Sequence, residues 1–117
     1  MSSVEPLADA DHLSEREREC LELCQQATEV CEWCADECAR IDGMTDCVRL
    51  CRDVSDIASL HVKFLARGSD HREALAGVCA TVCRDCAEEC ENHEHDHCRT
   101  CAEVLRECAE ACESMVK

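Results

Sequence analysis

The chain is short of the residues that usually fill a protein interior. Leu, Ile, Val and Phe together make 21 of its 117 residues, tyrosine is missing, and Trp33 and Phe64 are the only large aromatics. With a net charge of -15, so small an aliphatic share would by itself place the chain among disordered sequences. Lysine is almost absent, at Lys63 and Lys117 only, and 27 acidic residues stand against 12 basic ones. Such a surface repels phosphate backbones and anionic lipid, which argues against nucleic acid and membrane as partners, and it suits a salt-rich cytoplasm where repulsion is screened. Nowhere does an apolar run reach the roughly 18 residues of a membrane-spanning helix. The opening MSSVEPLADADHLSERERE has no basic start followed by an apolar stretch, so a cytoplasmic location is expected.

The excess is in cysteine, 15 residues of 117. Only these thiols are numerous enough to supply the missing interior, as small hydrophobes, as disulfides or as metal ligands. An odd number, in a reducing compartment, lowers the disulfide reading and raises metal binding or redox chemistry.

Helix punctuation divides one domain into four segments. Ser14 with Glu17 and Asp70 with Glu73 read as capping boxes, Thr45 and Asp96 as further N-caps, and Asp42-Gly43 as a stop. Helices are expected at about 14–42, 45–67, 70–92 and 96–116, behind a loose N-terminal segment, 1–13. The short connections force antiparallel neighbours, giving an all-α, antiparallel up-down-up-down four-helix bundle with a cysteine-lined core.

All fifteen cysteines fall on the inward seams of these helices, at steps of three and four. Stacking the seams gives layers: Cys38, Cys47, Cys90 and Cys98 at one end, then Cys34, Cys51, Cys86 and Cys101. Cys31 and Cys83 then meet Val54 and Leu105, Cys79 and Cys108 meet Ala27 and Ala58, and Cys20, Cys24 and Cys112 lie near His61 and Met115.

Residues three or four apart on a helix hold their Cβ atoms about 5–6 Å apart, too far for an unstrained disulfide at about 3.5–4.5 Å. Two such sulfurs can instead clasp one soft ion content with two thiolates, which describes Cu(I). The C-x-x-x-C pairs Cys20/Cys24, Cys34/Cys38, Cys47/Cys51, Cys79/Cys83, Cys86/Cys90 and Cys108/Cys112 account for twelve of the fifteen. One ion per isolated pair buries a net negative charge, a serious desolvation cost. Bridging removes it: thiolates shared between neighbouring ions bring the ratio towards roughly one Cu(I) per cysteine, with Cys31 and Cys101 linking layers.

Zinc is the main metal rival, since four thiolates from four helices can make a tetrahedral site. The C-x-x-C pairs 31/34, 83/86 and 98/101 interrupt helices rather than sitting in the turns of zinc knuckles. An iron–sulfur cluster lacks its full cysteine run and following proline, and WCADEC lacks the strand context of a thiol oxidoreductase. Trp33 reads as a packing residue. His93, His95 and His97 surround the loop NHEHDHC beside Cys90 and Cys98 and opposite Met44; they are either a solvated loop or a mouth that guides metal inward. His61 is either a ligand near Cys24 and Cys112 or a hydrogen-bonded core residue. Leu50, Ile57, Leu60, Phe64, Leu75, Val78 and Val82 flank the seams and offer a self-association surface where they remain exposed.

These inward cysteines and repeated C-x-x-x-C pairs, over about residues 14–116, resemble the cysteine-rich four-helix-bundle copper storage proteins, in particular the cytosolic members. The resemblance implies many Cu(I) ions held by core thiolates, entry at one end lined by His or Met, and a homotetramer. The ligand set is then the fifteen cysteines with His61, His93, His97 and Met44. A non-enzymatic copper store is expected, serving a copper chaperone or cuproenzyme. The other reading is a structural or redox-sensing cysteine-rich bundle, or a zinc-thiolate protein. Val54, Ala58, His61 and Leu65 leave the lower half of the second helix without thiols, and Leu105 interrupts the fourth.

Overall fold

The structure, a computed structural model, describes residues 4–116. Four helices follow one another, α1 (Glu15–Cys38), α2 (Thr45–Ala66), α3 (Arg72–Glu91) and α4 (Asp96–Glu113). Each packs its backbone on its two ring neighbours, α1 on α2 and α4, α3 on α2 and α4, while diagonal pairs meet only through side chains across the axis. The four seams therefore face a common axis, as the three-and-four stepping requires.

Local chemistry sets the helix ends. At the start of α1 the Ser14 hydroxyl accepts from the Glu17 N–H and the Glu17 carboxylate accepts from the Ser14 N–H, the expected capping box. The other expected caps are corrected. Met44, His71 and His95 occupy the N-cap positions of α2, α3 and α4 without a side-chain cap bond, so Thr45 and Asp96 open their helices from inside. α3 opens one residue later than expected, with His71 rather than Asp70 at its N-cap, and Ser69 Oγ accepts from the His71 N–H. α1 ends at Cys38 rather than 42, its last turn tightening through Arg40 N–H to Glu37 O and Ile41 N–H to Cys38 O. α4 likewise ends at Glu113. α2 closes in a Schellman motif: Gly68, at φ +65°, lets its N–H reach Leu65 O at 3.1 Å and Ser69 N–H reach Phe64 O at 2.9 Å.

Residues before α1, expected to be loose, have definite attachments. Arg18 donates to Leu7 O at 2.7 Å and Ala10 O at 2.8 Å, His12 Nε2 donates to Leu65 O at 3.2 Å, and Leu13 is buried. Across the same end of the bundle, Arg72 Nε donates to Glu17 Oε2 at 2.7 Å. Burial works against the Glu17 carboxylate, but the Ser14 N–H and Arg72 outweigh it and lower its pKa. A depressed pKa stabilises the fold above the unfolded value, near 4.5, and that contribution fades as pH falls through the folded value. Glu17→Gln is accordingly expected to cost the metal-free protein about 1–2 kcal/mol near neutral pH and almost nothing in strong acid. Urea unfolding at the two pH values checks this; an equal deficit at both contradicts it.

The core is unusual in what fills it. Every cysteine is at most 1% exposed, and the largest fully buried side chains are Leu65, Leu105, His61 and Val54. Buried alanines such as Ala27, Ala58, Ala76 and Ala109 occupy the remaining inner positions. Among the described residues no helix is long and apolar enough to cross a membrane.

Candidate metal centre

Because each seam steps by three and four, sulfurs from neighbouring helices meet in sets along the axis. Five sets of ligand atoms lie within 4.8 Å of one another. From the end near the α1–α2 and α3–α4 connections these are Cys34/Cys38/Cys47/Cys98, then Cys34/Cys51/Cys90/Cys101, then Cys31/Cys51/Cys86/Cys101. At the opposite end come Cys24/Cys79/Cys108/Cys112 and Cys20/Cys24/His61/Cys112. Neighbouring sets share members: Cys34, Cys51, Cys101, Cys24 and Cys112 each belong to two. Sγ–Sγ separations run from 3.4 Å for Cys20–Cys112 through 3.6 Å for Cys38–Cys47 and Cys51–Cys86 to 4.0 Å for Cys24–Cys112. These sulfurs stand well beyond the bonded distance of about 2.05 Å, with room between them for an ion.

Two features of the expected layering are corrected. The second layer splits: Cys51 and Cys101 meet Cys34 and Cys90 on one side and Cys31 and Cys86 on the other. The row is also not continuous. No residue is shared between the upper three sets and the lower two, and the seam positions between them are Ala27, Val54, Cys83 and Leu105, all fully buried. Cys83 is the one cysteine of that layer and joins none of the five sets.

The histidines separate into distinct roles. His97 is buried at the upper end with Nε2 3.3 Å from Cys38 Sγ. Its ring stacks on the exposed His95 at 5.3 Å and takes the edge of Trp33 at 6.0 Å. Trp33, expected to pack inside, is 46% exposed and flanks this imidazole instead. His93 is half-buried and donates from Nε2 to Glu89 at 2.6 Å; it belongs to none of the five sets. Met44 is buried at the N-cap of α2, three residues before Cys47. His61 sits in the lower end with Nδ1 at 3.5 Å from Cys24, 3.8 Å from Cys20 and 3.9 Å from Cys112. Met115 is a half-buried residue packed against the core.

Charge in this interior is tightly constrained. Burial, with the neighbouring Cys38, pushes the Cys98 thiol up to about 12. Cys20 goes the other way, to about 5, because Cys112 and Cys24 can donate to its thiolate. Burial disfavours a charged imidazole at His61, yet the Cys112 and Cys79 sulfurs outweigh it and carry its pKa to about 9. Only a few negative charges can exist here without a cation, so metal entry is coupled to the release of thiol protons.

Buried, ligand-sharing thiol clusters along a bundle axis match a known architecture. The sequence model described as "Copper storage protein" matches residues 13–117. The chain belongs to the copper storage protein family. Its fold superimposes on the Cu(I)-bound copper storage protein BsCsp3 of Bacillus subtilis with a TM-score of 0.84 and 33% identity, covering 88% of this chain and 100% of that one. The cytosolic copper storage protein of Streptomyces lividans, seen with five coppers, gives a TM-score of 0.84 and 34% identity over 93% of this chain and 97% of that one. An uncharacterized cysteine-rich Bacillus subtilis protein, YhjQ, is 33% identical over 83 residues, 68% of this chain and 77% of that protein. This family member departs from sequence expectation mainly in detail that spacing does not encode. The Trp33 and His95 flanks of His97 depend on how α1 and the α3–α4 connection meet, and the partner of His61 is a backbone carbonyl.

Proposed function

We propose that the chain is a non-enzymatic store of multiple Cu(I) ions in the cytoplasm. The observation that carries this reading is the fusion of buried thiols into sets sharing Cys34, Cys51, Cys101, Cys24 and Cys112. A shared thiolate compensates two ions at once, so a run of monovalent ions fills such a column close to neutrality, whereas a run of isolated tetrahedral zinc sites has no use for sharing and leaves more negative charge behind. The copper carried by the Bacillus and Streptomyces relatives supports the same cargo, and the Streptomyces protein is described as cytosolic.

Copper enters at the upper end. The His97 imidazole 3.3 Å from Cys38, with the His95 ring stacked on it, is the route from solvent to the first thiolates, and Met44 and His93 serve the same mouth. All fifteen cysteines and His61 then hold metal, with Cys83 the weakest contributor because it stands apart from the sets. A copper chaperone or cuproenzyme meets this end. Self-association, as a tetramer by family resemblance, uses the α2/α3 face where Ile57, Leu60, Leu75 and Val82 line a shallow apolar groove beside the exposed Val78.

Anaerobic titration of the reduced protein with Cu(I), against a competing chelator, tests the storage reading. Uptake approaching roughly one ion per cysteine is expected. The Cys34→Ser, Cys38→Ser double variant should lose a small number of ions, because its neighbours stay coordinated through other members of their sets. Retention of one ion or none by the native protein favours the redox or structural bundle, and total loss in the variant contradicts distributed binding.

A further inference from the structure

The lower end of the core differs chemically from the rest. Cys20, Cys24, His61 and Cys112 form the one set among the described residues that contains a nitrogen ligand. His61 is fully buried, and its Nε2–H donates to Arg72 O at 3.1 Å. That bond occupies Nε2 and leaves Nδ1 as the nitrogen facing three sulfurs, the arrangement by which metal-binding imidazoles are oriented. The carbonyl belongs to the first residue of α3, so the position of this nitrogen is set by a helix end rather than by a mobile side chain.

We propose that this end is a Cys3His site for a divalent ion of zinc type, sharing no ligand with the upper three thiol sets. The inference rests on the core being a metal-binding interior, and it adds a second cargo.

The ligand geometry fits one tetrahedral ion. Zinc bonds of about 2.3 Å to sulfur and about 2.05 Å to nitrogen place sulfurs about 3.8 Å apart and sulfur and nitrogen about 3.6 Å apart. Here the sulfurs of Cys20 and Cys112 are 3.4 Å apart and those of Cys24 and Cys112 4.0 Å apart, while Nδ1 stands 3.5, 3.8 and 3.9 Å from the three sulfurs. The five separations thus lie within about 0.4 Å of those a tetrahedral ion requires.

Charge then favours a divalent ion at this set over the others. Entry of the ion displaces protons from the ligand set to solvent and leaves three thiolates, a neutral imidazole and a dipositive ion, a net charge of about -1. The same ion in an all-cysteine set leaves about -2, and burying the extra charge is costly. A monovalent ion among the same three thiolates also leaves about -2. The aliphatic layer of Val54 and Leu105 keeps this end apart from the upper three sets, and the set that adjoins it, Cys24/Cys79/Cys108/Cys112, shares Cys24 and Cys112 with it but neither Cys20 nor His61.

The test uses the full reduced chain without copper. One equivalent of Zn(II) is added anaerobically and X-ray absorption is recorded at the zinc edge. Three sulfurs and one imidazole nitrogen around zinc are expected; four sulfurs, or no zinc retained against a competing chelator, overturns the proposal. In parallel His61→Ala, checked for helicity, should weaken zinc binding by about 100-fold or more, beyond the 10–100-fold cost of losing a supporting hydrogen bond. Unchanged affinity in a folded variant also overturns it. Cu(I) titration of the native protein separates the two readings: copper uptake intact with zinc on four sulfurs rejects the second cargo alone, and failure to take up copper rejects storage.

Discussion

Filling the core with Cu(I) is expected to raise the unfolding midpoint of the reduced protein by more than about 20 °C. A ligand that binds only the folded state stabilises it by RT ln(1 + [L]/Kd), or about 2.7 kcal/mol per site at one hundred times Kd. In a chain of this size each kcal/mol moves the midpoint by roughly 3–4 °C, so two such sites already supply about 15–20 °C. The five sets offer more than two. Differential scanning calorimetry across a Cu(I) titration should therefore show the midpoint climbing through many equivalents. A rise that stops after the first ion, or no rise, would mean that copper sits on the surface and not along the axis.

The second large effect concerns the few side chains that pack conventionally. Leu105→Ala removes one of the largest fully buried groups and leaves a hole in a layer completed by Ala27, Val54 and Cys83. Buried Leu→Ala changes cost about 2–5 kcal/mol, a substantial part of the roughly 5–15 kcal/mol available to a domain. The metal-free variant is expected to unfold at much lower urea, whereas the copper-loaded variant should recover most of the loss, because no ligand has been removed. Comparison of the two urea midpoints checks it. A metal-free deficit below about 1 kcal/mol would show that the layer collapses to fill the space.

How much of this was legible in the sequence follows from which physical rule governs each feature. The bundle and its sulfur-lined interior are legible because the period of a helix is fixed, so cysteines at steps of three and four have one face to occupy. His61 is legible as a residue on that face, and the capping box at Ser14 and Glu17 depends only on adjacent residues. The split that joins Cys34 to Cys90 is not legible, because axial register between helices depends on how all four connections and side chains pack together. Nor is the carbonyl of Arg72 behind His61, since any residue carries that group and only the fold brings this one to the ring. The caps at Met44, His71 and His95 lack side-chain bonds, so no residue pattern marked them.

The near-zero exposure of every sulfur has a consequence for whatever meets this molecule. Ions held among these thiols would sit behind a wall of charged helices, so a partner outside has little surface on which to read the contents. On the entry proposed above, a visitor that must know whether to give or to take would learn it at the His97 ring, which stands against the first thiol. Acceptance and surrender of copper then reduce to a local ligand contest at that ring, repeated ion by ion.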